Sequence, residues 1–219
     1  MERSTWLKEK RRIAEVRYDT LHAASYDQNW GHINASHRSF LQRFLDLCPP
    51  AGTILDAACG TGKYWSLILE SWRSVVGIDQ SQQMLLQATS KFPHVRTEKM
   101  GLQEIDFSAA FDGIICMDAM EFIAPEDWPV ILHNFRRALK ENGHLYFTVE
   151  LIDAGERAHA YSEGQKQGLP VVEGEYAHEG FYHYYPALEQ VRAWVSQASF
   201  SVIEEGEGDD YQHFLARKA

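Results

Sequence analysis

A glycine-rich turn and an acidic residue behind it are the positions of this sequence best suited to chemistry. The segment Thr53-Ile-Leu-Asp-Ala-Ala-Cys-Gly-Thr-Gly62 reads as a buried strand that runs into a loop containing Gly60 and Gly62. Glycines at the end of such a strand let the backbone approach a ligand that side chains would exclude. Asp79 ends the next predicted strand, where its carboxylate suits the hydroxyl groups of a ribose. The pattern predicts a nucleotide-like ligand.

The loop lacks residues that two common nucleotide-binding patterns require, which limits the kinds of nucleotide it could bind. A dinucleotide fingerprint needs a third Gly or Ala, which lets the helix pack closely and meet a pyrophosphate, but this position is Trp65. A phosphate-binding loop needs Ser or Thr after Gly-Lys, whereas Tyr64 follows Lys63 here. We therefore expect a ligand without a pyrophosphate, and a nicotinamide-dependent oxidoreductase remains the less favoured alternative.

The elements that must position these residues alternate between short β-type runs and amphipathic helices. This alternation is typical of parallel strands joined by helical crossovers, so we predict a doubly wound α/β sheet. The helix before the fifth strand is predicted to be capped by Asp127 and stopped by Gly143. The predicted strands are Thr53–Asp56, Val75–Asp79, His94–Glu98, Phe111–Met117 and Leu145–Val149.

The segments before and after this core do not continue its alternation of strands and helices. We interpret the chain as one domain, 1–219, in which residues 1–48 form an N-terminal helical cap and residues 50–150 a cofactor-binding core. Residues 153–180 are polar without a clear period, which indicates a lid or loop, and the whole insertion is placed at 153–185. Residues 186–219 are predicted to form a last helix, beginning at Pro186, and a hairpin of Phe200–Glu205 with Tyr211–Arg217.

The composition limits the classes of partner. A formal net charge of −10, from 31 acidic and 21 basic residues, would repel a nucleic acid over much of the surface. The basic N-terminal helix is a local exception, which we interpret as a solvated arm. The sequence has no signal-peptide pattern and no long apolar run, so we expect a cytoplasmic protein without membrane contact. The three cysteines lack metal-site spacing, and we predict neither a metal nor a disulfide.

Four segments in order resemble known methyltransferase motifs. Leu55-Asp-Ala-Ala-Cys-Gly-Thr-Gly62 resembles motif I of the class I S-adenosylmethionine-dependent methyltransferases, and the other three segments are similar to later motifs of that family. The similarity covers about residues 50–150. It implies a Rossmann-like, seven-stranded, mostly parallel sheet with one antiparallel edge strand, and S-adenosyl-L-methionine as the cofactor. The later segments are Val76–Met84, Phe111–Asp118 and Leu139–Leu145.

The resemblance also implies which residues bind this cofactor. It places Asp56 beneath the methionine moiety, Asp79 on the ribose and Gln80 beside the adenine. The sequence departs from the family pattern after strand three, where an acidic residue often meets the adenine amino group but Lys99 to Gln103 contain none. The remaining cofactor candidates are Ala58, Gly60, Gly62, Met84, Met100, Gly101, Leu102, Met117, Tyr26 and Trp30, of which Met84 and Met117 are equally compatible with core packing.

The acceptor side of the site is predicted from aromatic residues outside the core. Tyr26-Asp27 resembles a tyrosine-containing segment of small-molecule methyltransferases, including sugar N-methyltransferases, and Tyr26 is a catalytic candidate. Residues 173–186 are rich in acids, histidines and tyrosines, and side chains of an extended run alternate between two faces. We favour His183 with Tyr185 as catalytic residues facing the acceptor. The alternative is that the rings of this segment pack under the last helix.

Taken with the resemblance, these residues predict methyl transfer to an oxygen or nitrogen atom of a small molecule. Residues 150–180 carry seven acids and two basic residues, which favours a cationic or neutral polar acceptor. The alternative from another class is a non-catalytic module that binds S-adenosylmethionine. His178 and His183 lack a third ligand at suitable spacing, so no metal is predicted there. The sequence assigns no oligomeric state.

Overall fold

A seven-stranded sheet organises the computed structural model, which describes residues 1–178 and 180–219. The strand order is β3-β2-β1-β4-β5-β9-β8, and β1 to β5 run parallel, which confirms the predicted doubly wound fold. The strands are β1 (Thr53–Ala57), β2 (Ser74–Asp79), β3 (Arg96–Lys99), β4 (Phe111–Cys116), β5 (Leu139–Glu150), β8 (Phe200–Gly208) and β9 (Tyr211–Lys218).

The antiparallel strand does not lie where the resemblance places it. β9 pairs antiparallel with β5 on one side and with β8 on the other, so the antiparallel strand is one position inside the edge. β8 forms the edge, and five of its nine residues are exposed to solvent. The reason is the tight turn at Asp209 and Asp210, both with positive φ, which folds the chain directly back between β8 and β5.

Helices cover both faces of the sheet. The helix before β5 ends at Ala138, five residues before Gly143, because Leu139 already pairs with Phe111 as part of β5. Gly143 therefore lies in the strand and does not stop the helix. The helices outside the insertion are α1 (Arg3–Arg17), α2 (Tyr26–Trp30), α3 (Ala35–Leu47), α4 (Trp65–Glu70), α5 (Gln82–Lys91), α6 (Trp128–Ala138) and α8 (Leu188–Gln197).

The insertion after β5 has more regular structure than its sequence indicates. It contains α7 (Ala154–Lys166) and a separate two-stranded sheet of β6 (Glu175–His178) and β7 (Phe181–Tyr184). The sequence indicated a lid or loop over residues 153–180 and predicted none of these elements. The helix escaped detection because only Ala160 and Gly164 are buried along it, which leaves no apolar stripe to read.

Two short turns complete the frame of the site. A π-helical turn at Tyr18–His22 links α1 to the following helices, and a 3₁₀ turn at Met120–Phe122 follows β4. Both lie over the carboxyl ends of the parallel strands, where open α/β sheets bind their ligands. Within the described ranges, no helix is both long and apolar enough to cross a bilayer.

Candidate active site

Asp79 is held at the edge of the sheet by backbone N–H groups. The strands β1 and β2 are parallel neighbours, so their carboxyl ends bring the loop after β1 close to Asp79. Gly60 N–H donates to Asp79 Oδ2 at 2.9 Å, and Ser81 N–H donates to Oδ1 at 2.8 Å. Burial raises the pKa of Asp79 to about 6, against the effect of these two bonds. Each oxygen retains a lone pair for a further donor.

A first cavity opens beside this carboxylate, with about 990 Å³ of empty space including its mouth. One wall comes from the ends of the strands, and α1 closes the other through Leu7, Lys10, Arg11 and Ala14. The strand-side wall contains eight of the predicted cofactor residues. These are Ala58, Gly60, Asp79, Gln80, Met84, Met100, Gly101 and Leu102, with Tyr26 at the end of the cavity.

The two loop glycines serve different purposes. Gly60 has a φ of +53°, and a Cβ on it would approach only the Tyr26 ring, at 3.8 Å, so the backbone faces open space. Gly62 has a φ of +77°, but a Cβ there would lie 2.8 Å from the Trp65 ring. Gly60 therefore leaves room for a ligand, whereas Gly62 leaves room for a buried side chain.

Four predicted cofactor residues lie elsewhere. Asp56 does not line the first cavity among the described residues; it is buried and accepts a 2.8 Å hydrogen bond from Trp65 Nε1. Burial raises the pKa of Asp56 to about 7. Met117 packs in the core, and Trp30 lines a second cavity instead. Gly62 contacts Trp65, as described above. For Asp56, Gly62 and Met117 the structure supports packing rather than direct contact with a ligand, whereas Trp30 faces the second cavity.

Asp127, at the start of α6, places a carboxylate in the lining of the first cavity. Sequence reasoning assigned it to capping α6, but its side chain makes no cap bond to that helix. Its Oδ2 instead accepts a hydrogen bond from Gln103 Nε2 at 3.0 Å, and both residues line the cavity beside Gly101 and Leu102. An acid from the start of α6 thus lies next to the segment after β3, a tertiary pairing with no local sequence signal.

A second cavity, with about 1340 Å³ of empty space including its mouth, joins the first. Tyr18, Tyr26, Asp118 and Phe122 line both cavities, so one molecule in each would meet at these side chains. The walls of the second cavity come from the N-terminal helices, the 3₁₀ turn after β4 and β7. Its other polar and aromatic lining residues are Arg17, His22, Asn29, Trp30, His32, Asn34, His37, Lys63, Glu121, Glu150, Phe181, Tyr182, His183 and Tyr211.

Asp118 lies at the junction of the cavities and was not predicted. His37 Nε2 lies 2.7 Å from Oδ1, while Tyr64 OH donates to Oδ2 at 2.9 Å and Lys63 Nζ donates to it at 3.2 Å. These partners lower the pKa of Asp118 to about 2, despite the opposing effect of its burial. Its place after a parallel strand is the signal that identified Asp79, and the same rule applied to β4 would have found it.

The aromatic segment divides between two faces, as predicted. Tyr182 and Tyr184 are both buried in the main core, and Tyr182 OH donates to Glu175 Oε1 at 2.5 Å. His183 lies on the other face, lines the second cavity and has its Nδ1 2.9 Å from Tyr185 OH. Tyr185 is not among the described lining residues; its side chain interacts with His183 and also with Glu150, and both of these line the cavity. Tyr182 also touches both cavities.

The described residues contain no group of three side chains that could hold a metal ion. The three cysteines are buried and unpaired.

Residues 54–143 match the family model described as a methyltransferase domain. An uncharacterised methyltransferase of Schizosaccharomyces pombe is 32% identical over 120 residues, which are 49% of this chain and 41% of that protein. The dTDP-4-amino-2,3,4,6-tetradeoxy-D-glucose N,N-dimethyltransferase of Saccharopolyspora spinosa is 27% identical over 128 residues, 58% of this chain and 50% of that protein. The chain spans about half the length of the curated relatives it matches.

A solved structure shares the whole fold. The Burkholderia thailandensis 1,6-didemethyltoxoflavin-N1-methyltransferase, bound to 1,6-didemethyltoxoflavin and S-adenosylhomocysteine, superposes with a TM-score of 0.70 at 19% identity. The match covers 95% of this chain and 89% of that chain. The N-terminal helices and the insertion, which build the second cavity, are therefore included in the shared architecture.

Proposed function

We propose that this chain is a class I S-adenosylmethionine-dependent methyltransferase, which transfers a methyl group from S-adenosylmethionine to an oxygen or nitrogen atom of a small polar molecule. The observation that carries this proposal is the pair of cavities that meet at Tyr26 and Asp118. One cavity has the features of a nucleoside site, and the other offers polar and aromatic side chains to a second molecule. Methyl transfer requires such an arrangement, because donor and acceptor must be held in contact.

The residues of the first cavity fit the donor. The free lone pairs of the buried Asp79 carboxylate suit two ribose hydroxyls, and the open space over Gly60 suits the amino-acid portion. Met100 and Leu102 provide apolar surface for the adenine, and Asp127 provides an acceptor for its amino group. When bound, S-adenosylmethionine would supply an activated methyl group. The lone pair of the acceptor atom would bond to the methyl carbon, the electron pair of the broken carbon–sulfur bond would stay on sulfur, and the acceptor would lose a proton.

This chain's own contribution is to bind, orient and exclude water. α1 covers the first cavity, and the rings of Tyr18, Tyr26 and Phe122 surround the junction. His183 in the second cavity is the candidate to receive the proton, because an imidazole changes protonation near neutral pH. Two relatives support a small-molecule acceptor, since their names specify N-methylation of an amino sugar nucleotide and of a toxoflavin precursor.

Calorimetry separates this proposal from its alternatives. We expect S-adenosylmethionine and S-adenosylhomocysteine to bind and NAD to give no signal. Asp79→Ala should weaken donor binding by about 1–3 kcal/mol, since a buried carboxylate with two hydroxyl donors has no replacement there. A panel of small amines and alcohols with methyl-labelled donor then tests transfer. Tight donor binding without transfer to any acceptor would support a non-catalytic module, and NAD binding would overturn the donor assignment.

A further inference from the structure

The second cavity contains a buried acid that no basic side chain neutralises. Glu121 lies in the turn after β4, lines the cavity and is only 4% exposed. Its Oε2 has no hydrogen-bond partner among the described residues. Glu150 lines the same cavity from the end of β5, and its Oε2 also lacks a hydrogen bond. Burial, followed by the charge of Glu150, raises the pKa of Glu121 well above its usual range.

The other charged groups around the cavity are already engaged. Lys63 is paired with Asp118, and the Arg17 guanidinium carbon lies 3.7 Å from the centroid of the Phe181 ring. His183 Nδ1 lies 3.3 Å from Glu150 Oε2, but its hydrogen bond is to Tyr185 OH. Within the described ranges, no arginine or lysine forms an ion pair with Glu121. Glu150 has His183 and Tyr185 beside it, so Glu121 is the carboxylate with capacity for a cation that the protein does not supply, and Glu150 adds negative charge next to it.

The rings of the cavity favour the same kind of ligand. The faces of aromatic rings carry partial negative charge, so they attract ammonium groups and not alcohols or carboxylates. Seven rings of Phe, Tyr and Trp line the second cavity together with the two glutamates, whereas its one lysine and one arginine face Asp118 and Phe181. These rings are Tyr18, Tyr26, Trp30, Phe122, Phe181, Tyr182 and Tyr211.

We propose that Glu121 and Glu150 bind a basic nitrogen of the acceptor, which makes the acceptor an amine. This inference rests on the proposed function for the identity of the second cavity as the acceptor site. A carboxylate pair buried beside aromatic rings binds an ammonium group through charge-assisted hydrogen bonds. An alcohol of the same shape leaves one glutamate without a counter-ion, so it should bind more weakly.

The test compares three probes of one shape on the protein saturated with S-adenosylhomocysteine: benzylamine, benzyl alcohol and benzoate. We expect benzylamine to bind at least tenfold more tightly than benzyl alcohol, and benzoate to bind most weakly. Glu121→Gln and Glu150→Gln should each weaken benzylamine binding at least tenfold and leave benzyl alcohol unchanged. Glu70→Gln, on an exposed position of α4, is the matched control. Calorimetry in buffers of different ionisation enthalpy should show proton release on amine binding, absent in Glu121→Gln.

Equal affinities for the amine and the alcohol, a preference for benzoate, or unchanged benzylamine binding in both variants would overturn the inference. Glutamine keeps the shape of glutamate, and circular dichroism confirms that each variant folds. Binding of S-adenosylhomocysteine, measured in the same samples, keeps the two proposals distinct. If the wild-type protein does not bind S-adenosylhomocysteine, the proposed function is overturned. If it binds S-adenosylhomocysteine but does not prefer the amine, only the role of Glu121 and Glu150 is overturned.

Discussion

His37 Nε2 lies 2.7 Å from Asp118 Oδ1 and joins α3 to the turn after β4 across 81 residues of sequence. Asp118 has a φ of +54°, a left-handed conformation that places its carboxylate toward both cavities. With Tyr64 and Lys63 on its other oxygen, the group remains ionised although its side chain is only 19% exposed. The donor and acceptor sides of the site are thus connected by one carboxylate.

Asp118→Asn should lower the free energy of unfolding by about 1–3 kcal/mol at pH 7. Asparagine tolerates the left-handed backbone, so the loss of stability measures the contribution of the carboxylate charge and not backbone strain. The folded-state pKa of Asp118, about 2, is below the usual 3.8. Its stabilising contribution is therefore present above about pH 4 and is lost as the pH falls toward 2. Urea unfolding at pH 7 and pH 3 measures this, and an equal difference at both pH values would contradict the assignment.

Asp56→Asn is expected to have the opposite effect. The pKa of Asp56 is raised from 3.8 to about 7, so the folded state binds a proton more tightly than the unfolded state. The free energy of unfolding then falls as the pH rises between about 4 and 7. The amide oxygen of asparagine can still accept the Trp65 bond, and removal of the buried charge should stabilise the protein by about 1–4 kcal/mol at pH 8. Thermal unfolding at pH 8 and pH 4 tests this, with exposed Asp106→Asn as the control.

Gly60→Ala should abolish most donor binding, because its Cβ enters the space that we assign to the donor. Backbone strain alone is controlled by Gly168→Ala, since Gly168 has a φ of +69° and a Cβ there meets nothing within 4 Å. Both variants should lose about 1 kcal/mol of stability. Only Gly60→Ala should weaken S-adenosylhomocysteine binding, by more than tenfold in calorimetry. Similar affinities for the two variants would show that the loop after β1 only makes a turn. The bulkier Gly60→Val should bind no donor.

Asp127→Asn tests whether this residue contacts the adenine amino group. We expect the affinity for S-adenosylhomocysteine to fall about tenfold, since a charge-assisted hydrogen bond is replaced by a weaker one. The affinity for S-inosylhomocysteine, which lacks the amino group, should stay within twofold of the wild type. Competition binding with both ligands gives the ratio directly. If both affinities fall together, Asp127 acts through Gln103 and the shape of the cavity rather than through the amino group.

The positions that sequence predicts well are those fixed by local order along the chain. Asp79 and Gly60 were found because strand, turn and helix follow one another in a fixed pattern, and the structure places both beside one cavity. Asp127 was misinterpreted because its helix-capping position is a local signal, whereas its bond to Gln103 depends on packing between distant elements. The contact between His37 and Asp118 also depends on packing between distant elements, because the local sequence around either residue does not predict the other.

His183→Gln and Tyr185→Phe distinguish direct from indirect roles in the second cavity. His183 lines the cavity, so its loss should lower kcat by at least 100-fold on the best acceptor of the panel. It should also remove one limb of the pH–rate profile while the donor Kd stays within twofold. Tyr185 contacts the cavity indirectly, through His183 Nδ1 at 2.9 Å and through Glu150, so Tyr185→Phe should lower kcat less than tenfold and shift that limb without abolishing it.

Tyr184→Phe is the control for this pair, because Tyr184 is buried on the opposite face of β7 and packs near Trp194. We expect its pH–rate profile to match the wild type, even where the variant is less stable. Equal profiles for Tyr184→Phe and Tyr185→Phe would show that Tyr185 has only a packing role. An unchanged profile in His183→Gln would exclude the imidazole as proton acceptor and leave Glu121 or Glu150 as the group that receives the proton from an amine.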